Sequence, residues 1–469
     1  MLSLYDTYTR KKRKFQPLKD KLVRIYACGP TVYSNAHIGN LSTFVFVDFL
    51  IRYLKNTGYK VKYVRNITDV GHLTLDSDTG EDKLEKASRK EGIRPLEIAK
   101  KYIQSFHKNT LALNLLKPDH EPRASQYIKE QIQATSNLIK KGFAYETSSG
   151  VYFDTTQDPE YGKLARLNLD TKSSKSRVCA IEDKKHPLDF AVWIKTAGKH
   201  KDHLQNWDSP WGKGFPGWHL ECSVMSQKLL GSEFDIHCGG IDLAPVHHVN
   251  EIAQNKALYG TVPANFWSHK EHLQLRGAKM AKSTGNFITL DDLKNSGFPS
   301  DIFKFFVLSA HYRSKQEFNK KALEQTRENL KTIRNFLKKC QQTKTQKTDR
   351  EIEKFWQEFI KALDDDLNSP KALATIFNLI KVVEKNNYKT NNKLILEKFQ
   401  IIQDIFGIKL IQKPETKKIP EDIQKLLDQR LEARKQKDYK KSDQIRNKLI
   451  KKNIQIKDKG DGSQEIVYD

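Results

Sequence analysis

The chain has 469 residues, more than one ordinary domain holds; at ~150 residues per domain it has room for about three, each with a real core. Lysine and arginine number 82 against 57 aspartates and glutamates. The formal charge of +25 favours a polyanionic partner, nucleic acid or an acidic membrane surface, and fits a merely lysine-rich exterior equally well. No apolar run approaches the ~20 residues of a membrane span, and 23 Phe, 17 Tyr and 6 Trp argue against a disordered chain. The five cysteines (28, 179, 222, 238 and 340) are scattered and Met1 to Arg13 is polar, so the chain is expected to be cytoplasmic, without a disulfide scaffold or a signal peptide.

In chain order, Leu22–Cys28 reads as a short buried strand broken by Gly29-Pro30. From Ile38 the apolar residues Leu41, Phe44, Val45, Phe49 and Leu54 recur at helical spacing and stop near Thr57-Gly58. Val61–Ile67 is a second strand, which completes a βαβ unit and predicts a parallel sheet. Helices are predicted over Asp82–Glu91, Pro95–Leu113 and Ser125–Lys141. Residues 143–205 look like an insertion, with strand-like pieces at Val151–Phe153 and Phe190–Trp193 and a Ser/Lys stretch at Ser173–Ser176. Phe234–His237 reads as another buried strand and Pro245–Tyr259 as a helix. After Phe298 the pattern is almost all helix, with a polar break at Gln341–Arg350 and Asn368 placed to cap a helix that has Pro370 at its first position. A linker at Lys409–Pro420 precedes two amphipathic segments, Glu421–Gln436 and Tyr439–Lys452. A terminal hairpin is predicted from Ile454 to Tyr468, turning at Asp461-Gly462.

Two short motifs suit phosphate. His37-Ile38-Gly39-Asn40 lies between the first strand and its crossover helix, where free N–H groups and a partial positive charge face an anion; Gly39 allows close approach, and His37 and Asn40 are potential donors. Lys279-Met280-Ala281-Lys282-Ser283, followed by Thr284-Gly285-Asn286, puts two lysines three apart beside a polar turn. Each alone is as well read as an ordinary helix cap or a solvated lysine pair. A third group consists of Cys28, Cys222, His247 and Glu251. His247 and Glu251 are four apart on a predicted helix and so share a face, and two thiolates, an imidazole and a carboxylate suit zinc. Spacing does not assemble the set, since Cys28 and Cys222 are far apart in the chain; buried core cysteines with a surface His and Glu is the plainer reading.

Together the first two motifs resemble the HIGH and KMSKS signatures of the class I aminoacyl-tRNA synthetases, with Asn40 for the last His and Ala281 for the first Ser. Seven segments in order resemble the cysteinyl-tRNA synthetase family over essentially the whole length: Tyr26–Asn40, Tyr63–Asp69, Ser209–Met225, Phe234–Gln254, Lys279–Phe287, Asp364–Pro370 and Gln429–Asp443. After Asn66–Asp69 the chain reads Val70-Gly71-His72 where the family commonly has IDDK, and Val249 stands where the family's zinc motif has a Glu that is not a ligand.

The resemblance implies an α/β fold: a Rossmann-type parallel-sheet catalytic domain with an insertion, then a helical bundle and a small mixed α/β C-terminal domain. The expected divisions are 1–115 and 206–260 for the two halves of the catalytic domain and 116–205 for a connective insertion. A lysine-motif and stem-contact region would span 261–305, the bundle 306–408 and an anticodon-binding domain 420–469. It implies activation of L-cysteine with ATP to cysteinyl-adenylate, then transfer to the 3′ end of tRNA(Cys). His37, Asn40, Lys279 and Lys282 would stabilise charge on the phosphoryl oxygens. Gly39 and Asp242, the latter on the ribose hydroxyls, would complete the ATP site with His37, Asn40 and Lys282, and Mg²⁺ would accompany ATP. Thr31, Thr68 and Trp218 would line the cysteine pocket. One zinc ion on Cys28, Cys222, His247 and Glu251 would select the substrate thiolate, which a shape-only pocket separates poorly from serine. Glu251 is expected to be the loosest ligand, and no editing domain is expected. The partners are then tRNA(Cys), ATP and L-cysteine, with no membrane, and the chain is expected to be a monomer. Two other readings share parts of the pattern: a cysteine-activating ligase with an amino-sugar acceptor, as in mycothiol synthesis, and a non-catalytic zinc-containing RNA-binding protein.

Overall fold

The structure, a computed structural model, describes all residues except 71–72, 74–79, 167–182, 198–199, 276–277, 280–286, 347–349, 413–420, 451, 453, 459–463 and 468–469. Lys282 and Ala281 of the second lysine motif, Cys179, the Ser173–Ser176 stretch, Tyr468 and the Asp461-Gly462 turn therefore lie outside the described residues. The chain forms two compact units, Met1–Ile411 and Gln412–Asp469.

The first unit begins with an antiparallel ribbon, β1 (Ser3–Asp6) and β2 (Lys11–Lys14). β3 (Leu22–Ala27), α1 (Ile38–Asn56) and β4 (Lys60–Arg65) form the predicted βαβ unit, with β3 and β4 parallel from Leu22↔Lys60 to Ala27↔Arg65. Val23, Ile25 and Ala27 are fully buried, as expected of a strand covered on both faces. Beyond the two strands the backbones nearly touch. A Cβ on Gly29 would lie 1.5 Å from the Asn66 carbonyl oxygen, so only glycine closes this end of the sheet.

α2 (Lys83–Glu91), α3 (Pro95–Ala112) and α4 (Ile128–Lys140) follow, α2 capped by Asp82 through the Leu84 and Glu85 N–H groups. The insertion then builds an antiparallel sheet of β5 (Ala144–Glu146), β6 (Gly150–Phe153), β7 (Phe190–Lys195) and β8 (Gly214–Pro216). This sheet runs on to Pro216, past the expected limit of 205, because a three-residue strand of Gly, Phe and Pro has no periodicity to read.

α5 (Trp218–Leu230), β9 (Phe234–Gly240), α6 (Val249–Tyr259) and β10 (Ala264–Lys270) return the chain to the first sheet. Its order is β10-β9-β3-β4, all parallel. The sheet thus extends past the expected boundary at 260. The β10 sequence ANFWSHK mixes polar and apolar residues on two covered faces, so its pattern does not announce a core strand.

β11 (Leu273–Leu275) pairs antiparallel with β12 (Ala278–Lys279) and parallel with β13 (Gln316–Phe318). α7 (Leu290–Asn295) and α8 (Ser300–Leu308) lie between them in the chain. The helical region is α9 (Lys320–Gln342), α10 (Arg350–Asp364), α11 (Ser369–Lys385) and α12 (Asn392–Phe406). Asn368 caps α11 as predicted, with Ser369 rather than Pro370 at the first position. One apolar core runs from the α1 side of the sheet into these helices; Phe49 of α1 meets Phe406 of α12 edge-on at 5.8 Å. That continuity makes catalytic sheet and helical region one compact unit.

A buried charge also sits at this junction. The Lys304 ammonium of α8 donates to Asp48 of α1 at 2.8 Å and to the carbonyls of Asn114 and Gly407. The second unit, by itself, contains α13 (Glu421–Lys435), α14 (Tyr439–Ile450) and the hairpin of β14 (Gln455–Asp458) and β15 (Gln464–Val467). Its small core of Ile423, Leu427, Ile445, Leu449 and Ile456 is stapled by buried Arg430, which donates to both Asp458 oxygens and to Gln464. Among the described residues, no helix is long and apolar enough to cross a membrane.

Replacing Lys304 by Met should lower the stability of the first unit by about 2 kcal/mol. That is less than for a wholly uncompensated buried charge, because Arg52 remains 2.9 Å from Asp48. A denaturation midpoint measured for both proteins checks this; an unchanged midpoint would contradict it.

Candidate functional site

The carboxyl ends of β3, β4, β9 and β10 face one crevice, and the connections from β3 and β9 leave in different directions. Such a switch point is where open parallel sheets bind ligands. On one side of it, β3 is followed directly by Cys28, whose N–H donates to the Cys238 carbonyl of β9 at 3.1 Å. α5 brings Cys222. The chain after β9 forms a 3₁₀ turn, Ile241–Leu243, and a single π-helical turn, Ala244–His248, before α6. π turns are uncommon and concentrate at functional sites. Here the turn delivers two consecutive histidines to one place.

Cys28 Sγ and Cys222 Sγ are 3.9 Å apart, and His247 Nε2 is 3.4 Å from Cys222 Sγ. Glu251 Oε1 lies 3.6 Å from Cys28 Sγ and 3.0 Å from His247 Nε2. All four ligand atoms fall within 4.8 Å of one another. Tetrahedral zinc, with bonds of about 2.0–2.3 Å, has edges of roughly 3.3–3.8 Å, so the donor set and its spacing fit that ion. His247 and Glu251 are 1 % and 0 % exposed, unlike the surface His and Glu of the plainer reading.

A second set that sequence reasoning missed overlaps this one: Cys28, His237, His248 and Glu251. His248 Nε2 is 3.4 Å from Cys28 Sγ, and its Nδ1 is 2.7 Å from His269 Nε2, whose Nδ1 reaches Thr7. His237 Nε2 is 2.9 Å from Glu251 Oε2. The expectation of a loose Glu251 meets a carboxylate with one oxygen already committed to His237. The only signals for these residues were the doublet at 247–248 and a lone His in a strand, neither of which reveals a partner. Gly239 is part of the arrangement, since a Cβ there would come within 2.7 Å of the His248 ring.

Burial works against charge throughout the cluster, and neighbours decide each outcome. Burial would raise the Cys222 thiol, but the hydrogen bond from Cys28 and the charge of His247 bring it down to about 6. Burial likewise opposes the charged forms of His247 and Glu251. Cys222 and Glu251 nevertheless raise His247 to about 10, and His237 and His247 hold Glu251 at about 2. Burial, reinforced by His237, drives His248 and His269 down, the latter to about 3. The site thus favours an ionised thiol and carboxylate whose charge is balanced by a proton on His247, a proton that a bound cation would displace, with His248 and His269 neutral behind them.

The rest of the crevice holds the other candidates. His37 caps α1; its Nδ1 accepts the Asn40 backbone N–H at 3.2 Å, so the neutral ring carries its proton on Nε2. Gly39 is half-buried and Asn40 exposed in the first turn. Thr31 and Thr68 lie side by side in a short parallel bridge after β3 and β4. Trp218, at the first position of α5, packs on the His247 ring with centroids 4.3 Å apart. Asp242 is exposed on the turn after β9, its Oδ1 folded back over Gly240. Lys279 ends β12 and is described through its backbone, paired with Gln274.

Comparison with known proteins bears on this arrangement. Residues 14–328 match the family model of the class I (C) tRNA synthetase catalytic domain, 358–410 a DALR domain, and 416–466 the cysteinyl-tRNA ligase anticodon-binding domain. A cysteine–tRNA ligase of Burkholderia lata is 41% identical over 463 residues, 98% of this chain and 96% of that one. Those of Finegoldia magna and Thermus thermophilus are 39% and 40% identical, each match covering 98% of both chains. The chain belongs to the cysteinyl-tRNA ligase family. It therefore carries the catalytic and anticodon-binding domains of a class I aminoacyl-tRNA synthetase, which sets aside the amino-sugar ligase and the non-catalytic binder. Among solved structures, methionyl-tRNA synthetase of Mycobacterium tuberculosis with methionyl-adenylate shares the fold. Its TM-score is 0.61 at 13% identity, covering 87% of this chain and 94% of that one.

Replacing His237 by Phe keeps a ring but frees Glu251 Oε2. Zinc affinity, measured by competition with a chromophoric chelator, should fall by about 10–100-fold; unchanged affinity would show that His237 does not support Glu251.

Proposed function

We propose that the chain activates L-cysteine with ATP and transfers it to the 3′ end of tRNA(Cys), with zinc on Cys28, Cys222, His247 and Glu251 choosing the substrate. The observation that carries the reading is the buried S, S, N, O cluster at the sheet's switch point. When bound, zinc supplies a soft Lewis acid that accepts a thiolate and takes an alcohol poorly.

The chain's own groups do the remaining work. Trp218 packs on His247 and walls the pocket, and Thr31 and Thr68 line its mouth. The α1 N-terminus offers N–H groups to the ATP phosphates, to which the carboxylate of cysteine attacks at the α-phosphorus. His37 donates from Nε2, and Asn40, Lys279 and Lys282 would add donors for the charge that grows on the phosphoryl oxygens. Gly39 keeps the approach open, Asp242 accepts from the ribose hydroxyls, and Mg²⁺ arrives with ATP. Pyrophosphate leaves, and the terminal ribose hydroxyl of the tRNA then attacks the carbonyl carbon of the adenylate, losing its proton as the acyl–phosphate bond breaks and AMP departs. Selection at the thiolate makes a separate editing domain unnecessary.

Stripping the metal with a chelator should abolish cysteine-dependent ATP–pyrophosphate exchange, and adding back one equivalent of zinc should restore it. Full activity and undiminished preference for cysteine over serine in the stripped protein would refute the reading. Ending the chain at Ile411 should reduce aminoacylation of tRNA by at least about 100-fold while leaving exchange within about threefold. Equal loss of both would argue against assigning anticodon reading to the second unit.

A further inference from the structure

The segment Asp364-Asp365-Asp366-Leu367, from the last residue of α10 into the turn before α11, takes no part in the site described above, yet it touches much of the first unit. Asp366 and Leu367 are two consecutive left-handed residues, φ 60° and 53°, neither of them glycine. Side chains with a Cβ hold this conformation only where their surroundings enforce it. Here the enforcement is visible. The Asp364 carboxylate accepts from the Tyr53 hydroxyl of α1 at 2.9 Å, and Asp365 pairs with Lys12 of β2. Asp366, 2 % exposed, donates its N–H to Ser3 and accepts from the Tyr5 N–H at 2.8 Å, the Tyr312 hydroxyl at 2.6 Å and Arg313 Nε at 2.7 Å.

Tyr312 carries the contact onward in two directions. Its ring stacks on Phe46 of α1 at 4.3 Å and 11°, on the helix that starts with His37–Asn40. Its carbonyl accepts the Glu271 N–H at 2.8 Å, at the root of β11, and β11 pairs with β12, where Lys279 lies opposite Gln274. The loop that holds Tyr312 runs into β13, the other neighbour of β11. One buried carboxylate therefore joins the elbow of the helical region to the helix that begins with one phosphate motif and, through β11, to the strand that begins the other.

We propose that Asp366 is a positioning residue for the adenylation step, setting through Tyr312 the place of the Lys279 strand relative to the start of α1. This rests on the reading of Lys279 as a phosphate-binding residue. The cysteine pocket, on the other face of the sheet around His247 and Trp218, is outside this chain of contacts and should not feel it.

The test is ATP–pyrophosphate exchange by the full chain, with active sites counted by the single-turnover burst of adenylate. Asp366→Asn should lower kcat per active site by about tenfold, with the KM for cysteine within about twofold. Tyr312→Phe, which removes one hydroxyl and spares the fold if the first variant does not fold, should lower it by about threefold or more. The double variant should be no worse than Asp366→Asn alone, because both act through one contact. Fewer active sites with unchanged turnover per site would reduce Asp366 to a structural residue and overturn the proposal, as would additive losses or a shifted cysteine KM. Lys279→Ala separates the premise from the inference. Exchange surviving in that variant refutes the phosphate reading, whereas its loss there alongside full turnover in the Asp366 and Tyr312 variants refutes only the coupling.

Discussion

The hydrogen bond from Cys28 N–H to the Cys238 carbonyl is the last rung between β3 and β9, and the site depends on it. Beyond that rung one strand feeds α1 and the other feeds the turns before α6. The gap that opens is bounded by a helix start on one side and by thiol, imidazole and carboxylate groups on the other. Glycine at 29 lets the chain leaving β3 pass close to the Asn66 carbonyl beyond β4, and glycine at 239 leaves room for the His248 ring beside β9. A nucleotide site and a thiolate-selecting site are neighbours because they are two edges of one parting in the sheet.

Electrostatics explains why the cluster is built in layers. A buried carboxylate and a buried thiolate are costly unless paired. In this fold each inner donor leans on an outer partner: Glu251 on His237, Cys28 on His248, and His248 on His269. Burial keeps His248 and His269 neutral, so they support the inner groups without adding positive charge where a cation must sit. The same rule governs Lys304 with Asp48 at the helical junction and Arg430 with Asp458 in the second unit, where buried charge ties elements together away from any chemistry.

The excess of +25 pointed to a polyanion without saying which one or where it binds. The small C-terminal segment is only mildly basic, and its one fully buried arginine is spent inside its own fold. Net charge therefore named a class of partner, and the catalytic and anticodon-binding matches along the chain named the tRNA.

The residue pattern by itself determined the local elements and the chemistry-bearing motifs. The first βαβ unit, the helices after Phe298 and the cap at Asn368 were legible because periodicity and capping are properties of a few adjacent residues. So were the two phosphate motifs, and His247 with Glu251, which one helical turn brings together. Tertiary structure alone decided the remainder. It placed Cys28 beside Cys222 across 194 residues, recruited His237, His248 and His269 behind them, drew β10 into the central sheet and β8 into the inserted one, and ran one core from sheet to helical region. Those are contacts between distant segments, set by strand order and by the close approach of two glycines, and nothing in local spacing encodes them.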